Sequence, residues 1–135
     1  TEIYPATFPE ADERLQAAEQ FLQARGYRKI ALVSHSMGSR MSHHYLSTHP
    51  DSAIAAWVAI GMGADVSYAA MKMPVLDLYG GNDLPAVLNN AQKRGASLKG
   101  KAKSRQQVVP HADHFFDNQD AELIKAVQQY LQENI

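Results

Sequence analysis

KIALVSHSMG, Lys29 to Gly38, carries an apolar run straight into a helix-forming one, and that junction decides the fold. Ile30 to Val33 show no polar alternation, which suits a central strand buried on both faces of a parallel sheet. From Ser36 the chain continues as SMGSRMSHHYLSTH, a helical stretch ending before His49-Pro50, because a residue that precedes proline is pushed out of the helical region. A serine on the sharp turn between such a strand and helix has its oxygen lifted clear of the sheet at a helix N-terminus. That is the setting of a nucleophile elbow. The positions two before and two after must be small, since strand and helix pass close together there. Gly38 meets this fully, and Ser34, where glycine is usual, meets it in part. The competing structural reading is a serine that simply caps the helix.

Working outward, a helix is predicted over Pro9 to Arg25. Leu15, Ala18 and Leu22 recur at helical spacing, Asp12 and Glu13 favour its N-terminal end, and Gly26 stops it. Ile54 to Met62 and Pro74 to Asp83 (IAAWVAIGM and PVLDLYGGND) hold two further buried strands. Leu84 to Leu98 reads as one helix with Pro85 in its first turn. Arg105 to Val109 reads as a weaker strand, and Ala121 to Ile135 as a closing helix with Ile124, Val127 and Leu131 on one face. The alternation gives an α/β fold of about four parallel strands with helices on both faces, in one domain spanning residues 1–135.

Composition narrows the function classes. Of the 135 residues 45% are hydrophobic and 20% charged, the balance of a globular domain. A formal net charge of -1 gives no field that favours nucleic acid or an anionic membrane. No apolar run approaches the roughly 18 residues of a membrane-spanning helix. The absence of cysteine removes disulfides, thiolate catalysis and cysteine-bound zinc. The opening TEIYPATFPEADER has neither an initiator Met nor a signal-peptide pattern, and reads as a start within something longer. Localisation therefore stays open.

Ligand sites in open α/β sheets lie beyond the carboxyl ends of the strands. Ser36, Asp83 and His114 each follow a strand. The glycines of LYGGND let the backbone turn sharply and hold Asp83 at the sheet edge. Its structural alternative is an N-cap for the next helix, and Asp65 in GMGAD is the competing acid. Asp77 lies inside its strand, facing a helix layer, and is a poor candidate. His114 in PHADHFF stands where a base could reach both serine and acid. His111 is its rival; His114 is favoured because Phe115 and Phe116 would pin its loop against the core. The backbone N–H of Met37 would meet a developing oxyanion, aided by the helix dipole.

The order Ser36, Asp83, His114, each after a strand of a parallel sheet, resembles the α/β-hydrolase superfamily from its nucleophile strand to its last helix. Within it, LYGGND and HADHFF are similar to small, lidless serine esterases of the dienelactone-hydrolase kind, and to a group of bacterial α/β-hydrolase-like proteins of unknown function. The resemblance implies a serine hydrolase acting on a small carboxylic ester or thioester through an acyl-enzyme, with no cofactor. It also implies what is missing: the strands before the nucleophile strand and the loop that supplies a second oxyanion donor. Losing one such donor costs about 2.7–4 kcal/mol of transition-state stabilisation, so a weak or inactive chain is one expectation. A non-catalytic binding or assembly module on the same scaffold is the alternative.

With those strands missing, residues 29–35 would form an exposed apolar sheet edge. The expected partner is a second copy, as a homodimer, or the missing N-terminal half. The gap from the second strand to the third, about ten residues, leaves no room for a helical lid. His43, His44 and His49 lack a matching carboxylate pattern, so no metal is expected. Lys93, Arg94, Lys99, Lys101, Lys103 and Arg105 lack the aromatic partners of a nucleic-acid site and read as a solvated helix end and loop.

Overall fold

The computed structural model describes residues 4–135; Thr1 to Ile3, at the opening of the chain, lie outside the described residues. After a short 3-10 turn at Tyr4–Thr7 come α1 (Phe8–Ala24), β1 (Ile30–His35), α2 (Met37–Thr48), β2 (Ile54–Ile60), β3 (Val75–Gly80), α3 (Pro85–Asn89), α4 (Ala91–Ser97), β4 (Arg105–Val109) and α5 (Asp120–Asn134). The four strands form one sheet in the order β1-β2-β3-β4, every neighbouring pair parallel. This is an α/β fold.

Because each crossover steps the same way along the sheet, right-handed connections bring their segments to one face. Side-chain alternation along β2 separates the two cores. Trp57 and Ala59 join the cluster containing Tyr45 and Leu46 of α2, Tyr68, and Leu98 just beyond α4. Val58 and Ile60 join Leu76, Leu78, Val109, Phe116, Ala126 and Tyr130, and α5 seals that side. β1 is an edge strand, half-covered, with Val33 45% exposed, so its apolar run lacks the two-sided burial expected of a central strand.

Three further expectations are corrected. Ala18 is exposed; the inward stripe of α1 is Asp12, Leu15, Glu19 and Leu22. The two buried carboxylates on that stripe have partners: Glu19 accepts from Tyr45 Oη at 2.6 Å and Ser52 Oγ at 2.9 Å, and Asp12 pairs with His44. α1 does end at Gly26, where the Gly26 and Tyr27 N–H groups return to the carbonyls of Gln23 and Leu22. The helix expected over Leu84 to Leu98 is two helices, parted at Asn90, whose side chain donates to the Ala86 carbonyl at 2.9 Å. Arg94, read from its basic neighbourhood as solvated, is fully buried. It meets Asp77 at 3.0 Å on the helix-covered face of β3, where Tyr68 and Gln106 also donate to that carboxylate.

Candidate active site

Ser36 has φ 58° and ψ −123°, between the end of β1 and the first turn of α2. A residue with a side chain seldom adopts such angles, and it keeps them only where its surroundings over-determine them. Here the Ser36 N–H donates to Ile60 O at 2.9 Å, and its carbonyl accepts from the N–H groups of Ser39 and Arg40. The hydroxyl makes no capping bond to α2. It donates instead to His114 Nε2, 2.8 Å away.

Asp83 is 5% exposed at the turn that follows β3. Its Oδ1 accepts from the Leu84 N–H at 2.7 Å, and its Oδ2 from the Gly80 N–H at 3.3 Å. Nor does it cap α3, whose N-cap is Leu84. Glycine is required at position 80: a Cβ there would lie 2.2 Å from Ala112 O. That close approach brings the loop carrying His114 down onto the end of β3, where the Asn82 N–H donates to Ala112 O at 2.9 Å.

His114, 6% exposed, stands between the two, with Nδ1 2.6 Å from Asp83 Oδ1. A carboxylate can only accept here, so Nδ1 carries the proton and Nε2 is left as an acceptor for the serine hydroxyl. A serine oxygen, an imidazole and a buried carboxylate thus form one hydrogen-bonded chain. It can take a proton from the oxygen and stabilise the resulting imidazolium. Of the two phenylalanines after it, Phe116 is buried among the α5 cluster, whereas Phe115 is 70% exposed and does not pin the loop to the core. Phe115 lies against the His114 ring instead, centroids 5.2 Å apart.

The rival residues lie elsewhere. His111 is exposed, and its carbonyl accepts from Asn82 Nδ2. Asp65 is exposed and ion-paired with Lys93 at 2.8 Å. His43, His44 and His49 have separate partners in Ser67 O, Asp12 and Tyr45 O. Among the described residues no cluster of three or more His, Asp or Glu side chains could hold a metal.

Met37 opens α2, so its N–H has no carbonyl one turn back within the helix and is free for an anion. Residues 61–74, between β2 and β3, contain neither helix nor strand. Sequence reasoning missed His35. The last residue of β1, it donates from Nε2 to His114 O at 2.7 Å, and its ring lies 4.8 Å from that of His114. Adjacency to the serine was the available signal. Beside His114, Asp113 has its carboxyl pulled below the usual range, chiefly by the Asp117 N–H; the negative charge of Asp113 in turn raises Asp117.

The family model of DUF3530, a protein of unknown function, matches residues 5–133. No curated protein matches the chain in sequence. Among solved structures it is similar to an α/β serine hydrolase without a lid from Xanthomonas campestris, at TM-score 0.73 and 17% identity over 90% of this chain and 56% of that one. It is also similar to a predicted CIB-like hydrolase from Thermoplasma acidophilum, at TM-score 0.70 and 16% identity over 93% and 60%. An α-β serine hydrolase homologue from Coxiella burnetii matches at TM-score 0.68 and 19% identity over 90% and 57%. At these identities the likeness is one of fold. The chain has part of the α/β-hydrolase fold and spans less than two-thirds of the length of these hydrolases.

Proposed function

The chain belongs to the DUF3530 family, and we propose that it is a serine hydrolase of carboxylic esters or thioesters in which Ser36 is the nucleophile, His114 the base and Asp83 the acid. The observation that carries this reading is the unbroken run from Asp83 Oδ1 through His114 to Ser36 Oγ, at 2.6 and 2.8 Å. Ser36 Oγ attacks the acyl carbonyl while its proton passes to His114 Nε2. Asp83 stabilises the imidazolium through Nδ1–H, and the Met37 N–H receives the negative charge that develops on the carbonyl oxygen. As the tetrahedral intermediate collapses, His114 returns the proton to the departing alcohol or thiol, leaving the acyl group on Ser36. Water, losing a proton to His114, then attacks the acyl-enzyme; the carboxylic acid leaves and Ser36 regains its proton. The lack of helix or strand in residues 61–74 favours a small or exposed substrate.

A strand added to the outer edge of β1, from a second copy or from earlier strands of an α/β-hydrolase fold, belongs to the same proposal. In its support, the N–H and C=O groups on the outer side of β1 face no strand of this sheet. An apolar groove of about 750 Å³ runs beside that edge, between Val33 and Ile60 on the sheet and Leu123, Val127 and Leu131 of α5.

A series of p-nitrophenyl esters and acyl thioesters of increasing chain length tests the reaction class. Turnover of short acyl groups, lost in Ser36→Ala, is the expected result. Turnover undiminished in Ser36→Ala would rule the mechanism out, and no turnover of any substrate would favour a binding module on the same scaffold.

A further inference from the structure

We propose that His35 is a positioning residue that holds the His114 imidazole against Asp83 and Ser36, an inference that rests on the hydrolase reading above. The bond from His35 to the His114 carbonyl joins residues 79 positions apart in sequence. It ties the end of the nucleophile strand directly to the backbone of the base. It adds to the Asn82 bonds that hold the same loop at Ala112 and His111, in a segment where His111, Phe116 and Asn118 all adopt positive φ and no helix or strand forms. A carbonyl only accepts, so His35 must carry its proton on Nε2.

The rings support the same assignment. His35 lies against His114 with centroids 4.8 Å apart, and Phe115 packs on both, 6.0 Å from His35 and 5.2 Å from His114. Gly61, at the end of β2, leaves the space both rings occupy. A Cβ there would come within 3.0 Å of His114 Cε1 and 3.5 Å of His35 Cδ2. His35 thus fixes His114 twice, by a hydrogen bond to its backbone and by contact with its ring. Its hydrogen bond goes to the His114 backbone, so it acts through His114.

The test compares His35→Leu, which keeps bulk but removes the donor, with His35→Gln, which keeps an N–H donor at about the same reach. Two readouts are taken: the far-downfield proton resonance of His114 Nδ1–H, and the rate of Ser36 labelling by a fluorophosphonate. In His35→Leu the resonance is expected to broaden or vanish and labelling to slow about a hundredfold, the scale of an ångström-level misplacement. His35→Gln is expected to restore most of both. A sharp resonance retained in His35→Leu, or its absence from the unmodified protein, overturns the proposal. If His35→Leu does not fold, the ¹⁵N-resolved tautomer of His35 in the unmodified protein decides: a proton on Nε2 supports it, and one on Nδ1 alone overturns it. Loss of the resonance in His35→Leu, with the unmodified protein inert to the probe, leaves the positioning role standing and removes the hydrolase reading.

Discussion

The indole N–H of Trp57 donates to Ser34 Oγ at 2.9 Å. Ser34 stands two residues before the proposed nucleophile, where glycine is usual, and its hydroxyl serves the largest fully buried side chain of the core. The hydroxyl also meets Ser39 Oγ at 3.2 Å, so it links β1, β2 and α2. The departure from glycine thus has a structural use.

Ser34→Ala leaves that indole N–H buried without an acceptor, at a cost of about 1–3 kcal/mol. Urea unfolding followed by Trp57 fluorescence measures it. Fluorophosphonate labelling of the folded protein is expected to continue at the original rate.

Gly61→Ala introduces a side chain at φ 61°, where its Cβ would lie 3.0 Å from His114 Cε1 and 3.2 Å from Nδ1. The displaced imidazole is expected to slow labelling by about a hundredfold. Gly63→Ala is the control, since a Cβ there meets Val87 Cγ2 at an ordinary 3.9 Å. Equal rates in the two variants would show that Gly61 does not serve His114.

Two buried aspartates separate stability from chemistry. Asp77→Ala strands the fully buried Arg94 charge, and breaking such a pair costs about 3–5 kcal/mol; the folded fraction should still be labelled. Asp83→Asn replaces a carboxylate that only accepts with an uncharged amide that can also donate, so the His114 tautomer is no longer fixed, and is expected to slow labelling by up to about 10⁴-fold. Denaturant midpoints and labelling rates, taken together on both variants, check the division.

Alkaline pH should destabilise the fold through its buried tyrosines. Burial pushes the Tyr130 hydroxyl up to about 12 from its ordinary 10.0, and Tyr68 and Tyr45 also rise, burial again the largest cause. Above pH 10 the unfolded chain loses these protons while the folded chain keeps them. The folded state then binds more protons, and stability falls as pH rises. For Tyr130 the fall spans about pH 10 to 12. Unfolding free energies across that window, compared with Tyr130→Phe, should show a shallower slope in the variant.

Period and punctuation made most of the architecture legible. The bounds of β4 match the expectation to the residue, and those of α1 and β1 to within one. What stayed hidden depends on partners far away in sequence. Nothing local marks Asp12 and Glu19 as buried, because the side chains that pair with them lie on α2 and the turn before β2. Arg94 sits in a basic run and is buried where α4 covers β3, held by Asp77 and the Val87 carbonyl. The break at Asn90, where the side chain bonds back to the Ala86 carbonyl, has no Gly or Pro to announce it. Ser36, Asp83 and His114 could be named because each follows a strand, a local signal. For His35 the local signal, adjacency to Ser36, marks the position but not the role, which rests on a carbonyl 79 residues away.

The most direct test of the central claim is the intact mass of the chain after treatment with a fluorophosphonate, beside Ser36→Ala. A single adduct on the unmodified protein and none on the variant is the expected result, since among the described residues Ser36 alone is paired with a base that a buried carboxylate holds. An adduct that persists in Ser36→Ala, or no adduct on the unmodified protein, would contradict it.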